Sequence, residues 1–238
     1  MPEPRAQAIA ARLDEVRGNI REWCLHYGRD PAEVTLLAVS KAFPAADIEA
    51  AAAAGQRLFG ESYLNEALDK MERLAHLRLG WHFIGPIQSN KTRRLAEHFD
   101  WIQSLDRLKI ARRLNEQRPE GLPPINVLLQ VNISGEASKA GLEPGALPET
   151  AEAVQALPRL KLRGLMAIPA RTSRFGEQRA AFARLRELYE ALREQGMPLD
   201  TLSMGMSGDL EAAIAEGSTL VRVGTGIFGP RPPRGGHR

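Results

Sequence analysis

The residues best suited to chemistry in this 238-residue chain are a lysine and two glycine-rich turns. Lys41 closes the apolar run TLLAVSK (35–41). Lysine is scarce, supplying six of the 32 basic residues, so each can be weighed. Lys70 and Lys109 fall in helical patterns among other charges, Lys91 near a helix start, Lys139 in the loop GEASKAG and Lys161 just ahead of a strand. Only Lys41 ends an apolar strand. An amine held there is desolvated, its pKa falls, and it can attack a carbonyl to form a Schiff base. The plainer alternative is a lysine that snorkels to water from a strand end. The first turn, SMGMSGD (203–209), precedes a helical pattern, which makes Ser207 the expected N-cap and puts Asp209 in the first helical turn. The second, RVGTGIFG (222–229), brings backbone N–H groups and the Thr225 hydroxyl close together. Helix starts and glycine-rich turns offer N–H groups to anions, so together these segments can hold a phosphate ester without a lysine.

Such groups need a scaffold that brings distant segments to one place. An N-terminal amphipathic helix carries Ile9, Leu13, Val16, Ile20, Trp23 and Tyr27 at spacings of three and four, with Cys24 on or near the stripe as a packing thiol. Eight short apolar runs then alternate with helical patterns: 35–41, 57–62, 81–85, 101–106, 125–133, 162–168, 201–205 and 219–229. Strict alternation implies a parallel sheet, and continuous apolarity implies that both its faces are covered. Eight units in a chain of this length predict a single α/β domain, a (β/α)8 TIM barrel with an extra N-terminal helix, over residues 1–230. A doubly wound open sheet is the competing topology. Barrel active sites sit at the C-terminal ends of the strands, with phosphate commonly held after strands seven and eight, where the two turns fall.

The remaining composition narrows the classes. A single cysteine excludes an intrachain disulfide and a cysteine-rich zinc site. No metal-ligand spacing, G-x-S-x-G or Walker A pattern occurs. The formal charge of +3 traces to Arg231, Arg234 and Arg238 in 231–238, read as a disordered basic tail; the other 29 basic residues balance 29 acids. Nucleic-acid binding would therefore rest on the tail alone. The absence of a signal sequence or an apolar span points to the cytoplasm. His82, inside the third run beside Trp81, is either a hydrogen-bonded structural histidine or a pocket acid/base. A lysine amine facing a phosphate cradle suggests a Schiff-base aldolase or pyridoxal 5′-phosphate (PLP) held as an internal aldimine.

At these residues the chain resembles the YggS/PROSC family of PLP homeostasis proteins, which have the fold of the alanine racemase N-terminal domain. The matching segments are AVSKAFP, LFGESYLNEA, WHFIGPIQSNK, QVNISGEASKAG, RGLMAI, LSMGMSGDLEAAI and VRVGTGIFG, in order from about residue 10 to 230. The resemblance implies PLP bound covalently through Lys41. It also implies that Ser207, Gly224 and Thr225 hold the phosphate and that Arg222 faces the pyridine nitrogen. Met166, Ser203 and Met204 would line the ring and phosphate, and Ile84 and His82 the third-strand side. One departure is Ser62, where the family usually has asparagine after Gly-Glu.

PLP enzymes that run carbanion chemistry commonly pair the pyridine nitrogen with a carboxylate. An arginine such as Arg222 cannot accept a proton and leaves that nitrogen neutral, which makes a poorer electron sink. Racemases with this barrel take an opposing tyrosine from a second, β-rich domain; here only Tyr63 follows a strand at the expected mouth. The expectation is thus a monomeric PLP carrier with little turnover, possible transient partners being PLP-dependent apo-enzymes. The alternative is a racemase or lyase using Lys41 and Tyr63. A role for Lys139, as a solvated loop residue or a weaker PLP-capture site, is open.

Overall fold

The computed structural model describes residues 3–136 and 140–231. Lys139 and residues 232–238 of the expected tail lie outside them. Eight parallel strands close into a barrel in sequence order: β1 (Thr35–Val39), β2 (Leu58–Glu61), β3 (Gly80–Phe83), β4 (Trp101–Leu105), β5 (Ile125–Gln130), β6 (Leu160–Met166), β7 (Thr201–Ser203) and β8 (Leu220–Val223). β8 pairs with β1 through Thr35–Leu220 to Ala38–Val223, which completes the ring and excludes the open sheet.

All eight runs contain a strand, with two shifts. The sixth strand starts at Leu160, so Lys161 is inside it rather than ahead of it. The eighth run splits: GTGIFG leaves the sheet after Val223 and forms the short helix α9 (Thr225–Phe228). Its glycines and the turn at Gly224 favour a helical cap over strand extension.

Strand residues alternate between the interior and the helical layer. The outward set, including Ala38, Phe59, Phe83, Ile102, Leu129, Leu165, Leu202 and Val221, packs with helix residues in one apolar cluster. The N-terminal helix α1 (Glu3–His26) adds Ile9, Leu13, Val16, Ile20 and the fully buried Cys24 to it. Trp23 and Tyr27 pack at its edge. Three further helices form α1's seat: α2 (Ala45–Ala53), α8 (Leu210–Ala215) and α9. α1 therefore braces the side of the barrel from which Lys41 and the second glycine turn emerge. Arg5 makes the link explicit: it pairs with Asp47 in α2 at 2.6 Å and donates to Phe228 O at the end of α9 at 2.9 Å.

Candidate functional site

The mouth at the C-terminal ends of the strands holds a cavity of about 910 Å³. Lys41, Ile84, Ser207, Arg222, Gly224 and Thr225 all line it, from β1, β3, β7 and β8 or the loops that follow them. Among the described residues its charged lining is Lys41, Arg171, Arg222 and Arg231 against Asp209, an electropositive basin suited to an anion. Arg231, counted with the tail in the sequence reading, belongs to this wall.

Burial pushes the Lys41 amine below its ordinary value, and the positive charges of Arg231 and Arg222 push it further. Glu61 opposes this. More of the lysine is thus a free amine near neutrality than in water, which is the condition for nucleophilic attack on an aldehyde.

The glycine turns meet as a cradle. A Cβ on Gly226 would lie 3.2 Å from Ser207 Oγ and 2.9 Å from Val223 Cγ1, so only glycine brings the two loops this close. The N–H groups of Ile227 and Phe228 return to Gly224 O. The first N–H groups of a helix have no partner within it, which suits an anion. Ser207 is not the helix N-cap. The helix α8 begins at Leu210, Asp209 occupies the cap position, and its carboxylate accepts instead from Met206 N–H at 2.7 Å. The Asp209 side chain closes the turn locally, which leaves Ser207 on the cavity wall.

Arg222 is almost completely buried, and burial lowers its pKa to about 10, still charged at neutrality. Its Nη1 donates to Ser203 Oγ at 2.6 Å and its Nη2 to Ala167 O at 3.0 Å. Ser203 Oγ donates onward to Gln103 Oε1 at 2.6 Å, and Gln103 Nε2 donates to His82 Nδ1 at 3.0 Å. With Gln103 Nε2 as the donor, His82 Nδ1 accepts and the imidazole proton is assigned to Nε2, which is buried without a partner among the described residues. Burial holds His82 down at about 3, so it is neutral. The relay crosses the barrel interior from β8 to β3 and fixes the guanidinium from beneath the cavity.

The other expected ligands divide accordingly. Ser203 and Met166 are buried beneath the cavity rather than on its wall. Met204 belongs to the outer apolar layer with Leu210 and Ala213. His82 stacks on Trp101 at 4.9 Å and borders a second cavity of about 280 Å³ among residues that begin the strands, such as Thr35, Leu58 and Leu220. Its position fits the structural reading, acting on the mouth through Gln103, Ser203 and Arg222. Ser62 and Tyr63 are not among the residues lining the mouth, and Tyr63 is 43% exposed at the N-cap of α3 (Leu64–Arg73).

Sequence reasoning missed a buried ionic cluster under Lys41. Glu61, fully buried at the end of β2, faces Lys70 of α3 at 2.8 Å. Lys70 also reaches Glu66 at 2.5 Å, one turn earlier on the same helix. Burial pushes the Glu61 carboxyl up, while Lys70 and Ser40 draw it back. The signal was present in LNEALDKMER: Lys70 lies three residues beyond Ala67 and six beyond Leu64, on the helix face that turns inward.

The chain belongs to the alanine racemase N-terminal domain family, whose model matches residues 11–232. Within it, the chain is 64% identical over 223 residues to the pyridoxal phosphate homeostasis protein of Pseudomonas aeruginosa, covering 94% of this chain and 96% of that one. It is 54% identical to the protein of the same name from Escherichia coli K12, covering 94% and 97%. Among solved structures, PipY of Synechococcus elongatus with PLP bound superposes with a TM-score of 0.81 at 40% identity, covering 92% of this chain and 99% of PipY. No helix among the described residues is long and apolar enough to cross a membrane.

Proposed function

We propose that this protein binds PLP covalently through Lys41 and acts in PLP homeostasis, as a monomeric cytoplasmic carrier rather than an efficient enzyme. The observation that carries the reading is an electropositive cavity at the barrel mouth that joins a desolvated Lys41 to the Ser207–Gly226 cradle. The residues fit the group. The cradle and the Thr225 hydroxyl suit its phosphate, the lowered amine of Lys41 suits its aldehyde, and Arg171 and Arg231 offset the phosphate charge at the rim. The structure of PipY with PLP bound supports PLP as the ligand.

When bound, PLP supplies an electron sink for carbanion chemistry. The chain's own residues limit that use. Arg222, pinned by Ser203 and Ala167 O, stays protonated at neutral pH and can only donate toward the ring nitrogen. Tyr63, the candidate second acid/base group, is absent from the cavity wall. Among the described residues the cavity wall places no tyrosine opposite Lys41, which favours storage and transfer to apo-enzymes over racemisation.

Two measurements test this. The purified protein mixed with PLP should develop a visible absorbance band, and borohydride reduction followed by peptide mapping should place the label on Lys41. The loaded protein should then interconvert L- and D-alanine no faster than free PLP does. Rapid racemisation would overturn the carrier reading, and a label elsewhere would overturn the site. A Gly226→Ala variant should retain the Lys41 label but bind PLP about tenfold more weakly, a cost of roughly 1.4 kcal/mol. The added methyl meets Val223 Cγ1 at 2.9 Å and crowds Ser207 Oγ at 3.2 Å, which shifts the two loops slightly apart, and equilibrium titration of the visible band reads the change.

A further inference from the structure

Lys41 sits in a tight turn whose two flanking peptide groups are both held by one cluster of side chains. On its N-terminal side, Ser40 O accepts from Lys70 Nζ at 2.9 Å. On its C-terminal side, Ala42 N–H donates to Glu66 Oε1 at 2.7 Å. That same Glu66 oxygen accepts from Lys70 Nζ at 2.5 Å. The third Lys70 donor goes to Glu61 Oε1, which also accepts from Ser40 Oγ at 2.6 Å. All three N–H donors of Lys70 are thereby used, and two of its three partners touch the Lys41 turn directly. Ala42 has a φ of +66°, a left-handed conformation unfavourable for an alanine, in a turn closed by Phe43 N–H on Ser40 O at 3.0 Å. The bond from Glu66 is a charge-assisted hydrogen bond on that residue's own N–H.

We propose that Lys70 and Glu66 are positioning residues for the cofactor site: they clamp the peptide groups on either side of Lys41 and so hold its amine over the cavity. The proposal rests on the reading that Lys41 carries PLP. The cluster touches neither the cavity cradle nor Arg222, so its effect on the cofactor runs through the Lys41 backbone. It spans α3 and the ends of β1 and β2, and its parts move together only if α3 stays docked.

The physical consequence is a preorganised nucleophile. Without the clamp the turn, still closed by Phe43 N–H on Ser40 O at 3.0 Å, holds Ala42 less firmly, so the amine should spend more time in water and lose part of the desolvation that lowers its pKa. The charged groups acting on that amine are Arg222 of β8, Arg231 of the chain beyond α9, and Glu61 of β2. Substitution at Glu66 leaves both arginines in place but also acts on Glu61, whose carboxyl Glu66 pushes up, so the comparison of Glu66→Ala with the equally uncharged Glu66→Gln separates the turn from the charge.

Glu66 is one-third exposed in the first turn of α3, and alanine is well tolerated there, so its variants test the idea without emptying the core. The experiment mixes full-length protein with PLP and follows growth of the visible band across pH, with borohydride mapping of the label. Glu66→Ala should slow attachment about tenfold, as expected for a small misplacement of a reacting group. It should also move the pH midpoint of attachment upward, toward that of an ordinary lysine. Glu66→Gln keeps an acceptor for Ala42 N–H and should recover most of the rate. Wild-type rate and midpoint in Glu66→Ala would overturn the clamp while leaving the Lys41 assignment standing. Equal losses in both variants would also overturn it, since the carboxylate charge rather than the hydrogen bond would then matter. A label away from Lys41 in the wild-type protein would instead remove the reading on which the clamp rests.

Discussion

Lys41→Ala should abolish the visible band and the borohydride-stable label together, and should weaken PLP binding by about 100-fold, or roughly 2.7 kcal/mol. The cradle, Arg171, Arg222 and Arg231 remain in such a variant, so a weak, reversible, salt-sensitive affinity for the phosphate should persist. If PLP attaches at Lys41 as proposed, the wild-type reaction depends on the neutral amine. Burial and the two arginines lower the Lys41 pKa from 10.5, so the attachment rate should rise through a midpoint below that value as pH increases. Arg231→Gln removes one repelling charge and should shift the midpoint upward. Stopped-flow measurement of the visible band from pH 6 to 10 gives both results. An unaltered label in Lys41→Ala, or a midpoint at the ordinary lysine value, would contradict this account of the site.

Gly164→Ala should produce the largest loss of stability. A Cβ at Gly164 would lie 1.7 Å from Thr201 O and 2.7 Å from Thr201 C, in the backbone of the neighbouring strand. Gly164 pairs with both Leu128 of β5 and Thr201 of β7, beside a register shift between Val127 and Leu128. The methyl therefore cannot be absorbed by a side-chain rotation, and β6 must part from β7. The expected cost is roughly 3 kcal/mol, at the upper end for overpacking. That is a fall in Tm of about 6–12 °C for a domain of this size. The functional effect should follow from the same strands: Ala167 O and Ser203 Oγ, which anchor Arg222, come from just beyond β6 and from β7. Thermal unfolding of the variant against wild type, with and without PLP, measures the loss. A variant with the wild-type Tm would contradict the close approach of the two strands.

Much of the barrel is legible along the chain because its causes are local. Eight apolar runs separated by amphipathic stretches can bury both faces of each strand only in a parallel sheet covered by helices. The position of Lys41 at the end of the first run and of the glycine turns after the seventh and eighth follows from that order alone, since the C-terminal ends of the strands share one rim. Boundaries were less legible. The segment 224–229 reads as a continuation of β8, yet Gly224 turns the chain into α9. The serine at 207 reads as a helix cap, yet Asp209 satisfies the turn and frees it.

What the sequence determined by itself was thus the architecture, the lysine and the two loops opposite it, because each depends on the pattern of neighbouring residues. What only the tertiary structure decided was how those groups are tuned. Gln103 and Ser203 meet across 100 residues, and through them His82 supports Arg222 from below instead of facing the mouth. Lys70, one charge among several on a helix when read in order, becomes the buried cation that joins Glu61, Glu66 and the backbone of the Lys41 turn. The reason is physical. Hydrophobic periodicity is a property of adjacent residues, whereas the satisfaction of a buried polar group depends on which distant atoms the closed barrel places within reach.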